Sequence, residues 1–277
     1  MFTRKDLTKL LLPLIVEQLL AVLVGMADVV MVAAVGETAV SGVSLVDSIS
    51  ILIIQMLAAL ATGGSVVCAQ YIGKKQPENA CEAAGQLILV TTLVSVVIAA
   101  IALIGNRHVL ALIFGKVEDS VMRNAQIYFW LSALSYPFLA VYNSCAALYR
   151  AMGNSKVSMY ASLAMNAINI AGNAICVFGL HMGVEGVGIP TLVSRAFAAV
   201  LMLFLIQRPQ NVIRIRNLQE LRFNGKMIKD ILKVGVPNGM ENTMFQFGKL
   251  FLQSLVSSLG TVAIASYAVA GNLVTFE

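Results

Sequence analysis

Charge is what this sequence has least of. Of its 277 residues only 12% are Asp, Glu, Lys or Arg, while 58% are hydrophobic. A water-soluble domain carries about a quarter charged residues, so a soluble globular fold is excluded. Cysteine is scarce as well. Cys68, Cys81, Cys145 and Cys176 are scattered, without a C-x-x-C pair or metal-ligand spacing, so a structural metal site is not expected. The two histidines, His108 and His181, both fall in predicted connections. A membrane hydrolase or lipid transferase needs a nucleophile–base or metal-ligand set at membrane depth. With no His in a predicted span and no Ser or Cys beside a base motif, the chain reads as a non-enzyme without cofactor. The net charge of +5 does not point to nucleic acid, because the basic residues lie in short loops between apolar runs.

Those runs define an all-α polytopic membrane protein. Leu10–Val35 is 26 residues long, about 39 Å of helix, more than the roughly 30 Å hydrocarbon core. It is too long and too acidic for a cleavable signal peptide. Further spans are expected at about 45–72, 83–104, 123–148, 157–180, 186–206 and 234–259, with an eighth begun when the chain stops. The loop over 105–122 and a tight turn at Gly153-Asn154 punctuate them. Gly63 and Gly64 in the second span read as close helix packing rather than chemistry. Fourteen of the nineteen Lys and Arg residues lie on the side of the N-terminus, against Arg107, Lys116 and Arg123 opposite. The positive-inside rule therefore places the N-terminus in the cytoplasm of a plasma-membrane protein.

A shift of 224 residues lays the seventh span on the first without a gap. Pro13 falls on Pro237, Glu17 on Glu241, Gly36 on Gly260 and Ala39 on Ala263. Six spans per repeat is an even number, so the halves are parallel, as in many secondary transporters. The domain reading is a six-helix lobe at 1–206, a basic inter-lobe linker with amphipathic character at 207–233, and the start of a second lobe at 234–277. A complete second repeat would need about 450 residues, so the expectation is a truncated product or a partner that supplies the missing half.

Polar residues inside the spans are the candidate chemistry. Glu17 and Asp28 lie eleven residues apart, close to three turns, and share one face of the first span. Intramembrane acids must face protein or water, and mark ion or solute paths by default. Asn166, Asn169 and Asn173 recur at i, i+3 and i+7, three amides on one face, able to coordinate a cation or simply to join helices. Asn242, Gln246, Lys249 and Gln253 form a similar stripe in the seventh span, bordered by Glu241. Arg195, deep in the sixth, needs a carboxylate or water. An ion pair with Asp28 or Glu17 and a place in a polar cavity are the two alternatives. Pro13 and Pro237 mark points where their helices can bend.

The segments PLIVEQLL, GMADVVMVAAVGETAVSGVSLV, ATGGSVVCAQYIGKK, LYRAMGNSK, GVEGVGIPTLVSR and VPNGMENTMFQFGKLFLQSLVSSLG together resemble the multidrug and toxic compound extrusion (MATE) transporters over the whole chain. That resemblance implies twelve helices in two six-helix lobes and export of cationic or amphipathic drugs, driven by Na+ or H+ entry. It also implies that Asp28 takes part in cation or proton coupling, with Asn169, Asn173 and Thr191 in the same polar cluster. Many members carry Asp where this chain has Asn173, which leaves the coupling ion open. Glu17 and Glu241 occupy repeat-related positions. Alternatives are a lipid-linked saccharide flippase, for which Arg195 and Lys249 would line the cavity, and an inactive transporter fragment.

Overall fold

The computed structural model describes residues 4–115, 117–215 and 223–274. The side chains of residues 4–10, 241–243, 245 and 271–274 lie outside the described set. Among the described residues the chain is helical throughout: α1 (Arg4–Val35), α2 (Glu37–Gly73), α3 (Pro77–Phe114), α4 (Asp119–Ala151), α5 (Ser155–Ala174), α6 (Glu185–Ile206), α7 (Gly225–Ser257) and α8 (Thr261–Val274). A five-residue π-helical turn, Ile175–Gly179, continues α5. Among the described residues, six helices, α1 to α6, are long and apolar enough to cross a membrane.

Helix boundaries follow local chemistry. One glycine separates α1 from α2, and Gly36 holds φ at 142°, a conformation that L side chains rarely adopt. Its carbonyl accepts from Val40 N at 3.1 Å. At the related position Gly260, with φ 99°, accepts from Ile264 N at 3.2 Å. The 224-residue repeat is thus visible in the backbone: the same break, with the same starting bond, opens α2 and α8. Pro77 begins α3, where its missing N–H is harmless. Met152–Asn154 form the tight α4–α5 turn. Asn224 caps α7 by accepting from Met227 N at 3.3 Å. Both α1 and α7 run unbroken through Pro13 and Pro237.

Two expectations need correction. Most of the loop placed at 105–122 is helix: α3 reaches Phe114, because Leu110 and Phe114 pack in the core and Asn106 Nδ2 donates to Gln126 O at 2.9 Å. His108 consequently lies in a helix, not in a connection. In the basic segment after α6, Ile213 and Ile215 are buried under α3 and α4, and α7 begins at Gly225, well before residue 234. Residues 216–222 of that segment lie outside the described residues.

Helices α2 and α4 form the centre, with α3, α6 and α7 packed around them. One apolar cluster joins Leu45, Val46, Ile49, Phe129, Tyr136 and Ile264; a second joins Cys68, Leu87, Leu148, Met202 and Ile231. Gly63 and Gly64 are packing residues, as expected. A Cβ on Gly63 would sit 2.4 Å from the Cα and N of Gly235, so α2 and α7 touch backbone to backbone. At the far end of that seam Gln253 Nε2 donates to Ser44 Oγ at 3.2 Å, and Ser41 Oγ to Thr261 O at 3.0 Å. Helix α1 lies to one side against α5, presenting Leu11, Leu12, Ile15, Leu19 and Leu23 outward.

Candidate functional site

Where α1, α5 and α6 meet, the core is polar. Asn173, fully buried, donates from Nδ2 to Asp28 Oδ1 at 2.7 Å and more weakly to Asn169 Oδ1 at 3.4 Å. Asn169 Nδ2 donates to Thr191 Oγ1 at 3.1 Å, and the Thr191 hydroxyl donates to Val187 O at 2.8 Å. This hydrogen bond contributes about 0.5–1.5 kcal/mol, or more where the carboxyl is charged, and holds Asp28 toward α5. Among the described residues, the carbonyl oxygen Oδ1 of Asn173 is buried without a partner.

The close approach behind this geometry has a simple cause. Gly172 packs on Pro190, and a Cβ at 172 would lie 2.7 Å from the proline Cβ. With nothing but hydrogen between them, α5 and α6 come near enough for an asparagine amide to reach a threonine hydroxyl. The π-helical turn follows immediately after this contact, and such turns are frequent at functional sites.

Hydroxyls on α2 and α4 lie near Arg195. Arg195 Nη1 donates to Ser135 Oγ at 2.7 Å on α4, and Ser50 of α2 bonds Tyr136 of α4 at 2.9 Å. Among the described residues, neither ion pair expected of Arg195 forms. Glu17 instead lies 3.9 Å from Arg150 and accepts from Ser158 Oγ at 3.4 Å. Sequence reasoning did not single out Asp47 as a site residue. It lies on α2 beside Tyr128, within electrostatic reach of both Asp28 and Arg195. The expected span at 45–72 put this acid at the helix start, whereas α2 begins at Glu37 and carries it ten residues into an apolar helix. Only the fold brings the two acids together.

The MatE family profile matches residues 13–175, more than half of the chain, a stretch that includes Glu17, Asp28 and all three asparagines of the α5 stripe. The chain belongs to the MatE family. The uncharacterized transporter YisQ of Bacillus subtilis (strain 168) is 24% identical over 269 residues, covering 95% of this chain and 58% of that protein. The probable multidrug resistance protein NorM of Thermotoga maritima is 26% identical over 277 residues, covering 98% and 58%. The chain therefore spans less than two thirds of the curated relatives it matches. Among solved structures, a multidrug resistance MATE family transporter of the MOP superfamily in an inward-facing conformation superposes with a TM-score of 0.85 at 20% identity, over 98% of this chain and 61% of that one. The MATE multidrug transporter DinF-BH, solved as a ligand complex, gives 0.88 at 22%, over 99% and 61%. At those identities the likeness shows the fold.

In this MatE chain, Asp28, Asn169, Asn173 and Thr191 come together, with Arg195 in electrostatic reach of Asp28. Asn166 lies lower on α5, half-buried, donating to Ser162 Oγ at 3.4 Å. On α7, Gln246 is half-buried and Lys249 exposed, while Gln253 is buried against α2. The side chains of Glu241 and Asn242 lie outside the described residues.

Proposed function

We propose that this chain supplies the first lobe, and the opening of the second, of a cation-coupled antiporter that exports cationic or amphipathic compounds by alternating access. The observation that carries the reading is the unpartnered Asn173 Oδ1 beside Asp28. Asp28, Asn169, Asn173 and Thr191 offer carboxylate, amide and hydroxyl oxygens within one cluster. Hard monovalent cations, or a proton on Asp28 itself, suit that donor set. In the arrangement described, Asn173 turns its amino group to the carboxylate. A bound cation would reverse that preference, drawing the amide oxygen instead. The empty and occupied clusters then favour different seatings of α1 against α5 and α6. Such unequal binding is the condition for an ion to drive a conformational cycle.

The names of the relatives support the substrate class: multidrug resistance and multidrug export proteins are among them. Arg195 is bonded to the Ser135 hydroxyl, which favours efflux over a saccharide-pyrophosphate flippase that would need its cations free to meet the substrate. The distribution of basic loops supports an N-terminus in the cytoplasm. The test is gradient-driven efflux of a fluorescent organic cation from cells expressing the whole reading frame, with and without sodium. Asp28→Asn abolishes efflux while leaving the protein in the membrane; undiminished export by that variant would sink the coupling role.

A further inference from the structure

Helix α5 is turned inside out for a membrane helix. Five of its six buried residues are polar: Ser155, Ser158, Ser162, Asn169 and Asn173. Its outward face carries Tyr160, Leu163 and Ile170. With half-buried Asn166 included, the polar side chains recur every three or four residues, one per turn, at steps of about 4.5–6 Å along the axis. A bridging water spans such a step with two hydrogen bonds of ordinary length. The stripe starts from Asp28 at one end and reaches Glu17 at the other, where Ser158 donates to the Glu17 carboxylate at 3.4 Å and Arg150 lies 3.9 Å from it.

Two of the orphaned buried polar atoms lie on this line, while others, on Thr92, Asn106 and Gln253, belong to α3 and α7. Asn173 Oδ1 and Ser155 Oγ are both buried and both without a hydrogen-bond partner among the described residues. They belong to the two ends of the stripe. Tyr142 of α4, a further polar side chain, faces its lower end beside Glu17 and Ser162. Leaving a buried polar group unsatisfied is unfavourable, because it gives up its hydrogen bonds to water and gains none in return. Two at opposite ends of one polar stripe that joins Asp28 to Glu17 indicate a guest that passes rather than a finished core.

We propose that the α1–α5 seam is the exit path of the coupling cation, from Asp28 past Asn169, Asn166, Ser162 and Ser158 to Glu17. This rests on the coupling reading of Asp28 and adds the route. Serine and asparagine oxygens accept a monovalent cation, or the hydrogen bonds of a hydrated proton, at each turn. Glu17 supplies the terminal anion. Arg150 competes with the arriving cation for that carboxylate, so the ion pair closes the mouth when the path is empty.

The probe is silver ion, a small monovalent cation that binds thiols. Membrane vesicles of both orientations carrying Ser162→Cys are exposed to it, and the thiols left unblocked are counted after denaturation. Wild-type vesicles provide the background of the four native cysteines. Silver entering from the side of the α4–α5 turn blocks Ser162→Cys about tenfold faster than Leu163→Cys, its outward-facing neighbour, whose thiol stays protonated in an apolar setting. Adding Glu17→Gln slows silver several-fold but leaves the neutral reagent methyl methanethiosulfonate unaffected, which a purely structural role for Glu17 would not produce. Ser158→Cys, one turn nearer the mouth, serves if Ser162→Cys fails to reach the membrane. Equal, slow reaction of the stripe and outward positions overturns the path even if Asp28→Asn abolishes efflux. A reactive stripe in a protein whose Asp28→Asn variant still exports overturns the coupling role instead, and with it the cargo assigned here.

Discussion

Gly172→Ala tests whether the site depends on the closeness of two helices. The added Cβ meets Pro190 Cβ at 2.7 Å, Cγ at 3.1 Å and Cα at 3.6 Å. Ordinary contact begins near 3.4 Å. The proline ring is tied to its own backbone and cannot rotate away, so α5 and α6 must part locally by about 0.7 Å. The Asn169–Thr191 bond, 3.1 Å long and less than a turn distant on α5, stretches past hydrogen-bond range under that displacement. Overpacking costs about 1–3 kcal/mol and the lost bond about 0.5–1.5. Alanine also stiffens the unfolded chain, a gain of about 0.4–1 kcal/mol that must be cancelled. Gly25→Ala cancels it: Gly25 is also helical, and a Cβ there meets nothing within 4 Å. Unfolding of the two variants in mixed detergent micelles, followed by the fluorescence of the single tryptophan, Trp130, gives the comparison. Gly172→Ala is expected to be less stable than Gly25→Ala by about 1.5–4.5 kcal/mol. Equal stability within about 0.5 kcal/mol would refute the argument that glycine sets the α5–α6 distance.

Gly63→Ala meets the backbone of Gly235 at 2.4 Å, whereas the three atoms nearest a Cβ at Gly64 all belong to the side chain of Leu87. The first is expected to lose more stability than the second in the same unfolding measurement, since a leucine can change rotamer and a backbone cannot. Asn169→Ala removes both the donor to Thr191 and the acceptor for Asn173. Gradient-driven efflux should fall about tenfold, while Thr191→Ser, which keeps the hydroxyl, retains transport. Glu118, at the start of α4, accepts from Ser120 and Thr261, both at 2.6 Å, and these bonds hold its carboxyl below the ordinary value of 4.5. A depressed carboxyl stabilises the folded form above its unfolded value and loses that contribution as pH falls through the lower, folded one. Hydrogen-exchange protection at the α7–α8 turn should therefore stay level from neutrality down to about pH 5 and fall only in stronger acid. Glu118→Gln should remove that acid dependence.

Much of the architecture was legible because lipid imposes so narrow a choice. A span must satisfy its own backbone, so apolar length alone yields helices, and glycine, proline and basic residues mark the turns. The repeat could be read from Pro13 and Pro237, Glu17 and Glu241, Gly36 and Gly260, and the glycine pair breaks the backbone at the same place in both halves. The common face of Glu17 and Asp28 follows from helical periodicity, and both acids do reach α5. What periodicity cannot supply is the neighbour across a helix pair. Arg195 had two carboxylates to choose from and took the hydroxyl of Ser135; Glu17 found Arg150; Asp47 entered the circle of Asp28. Those choices depend on the depth at which α2, α4, α5 and α6 cross. Contacts such as Gly172 on Pro190 and Gly63 on Gly235 set that depth, and the second of them joins residues far apart in the chain. Local sequence determines which face of a helix is polar. Only the packed bundle decides what that face meets, because lipid exerts no preference between one buried partner and another.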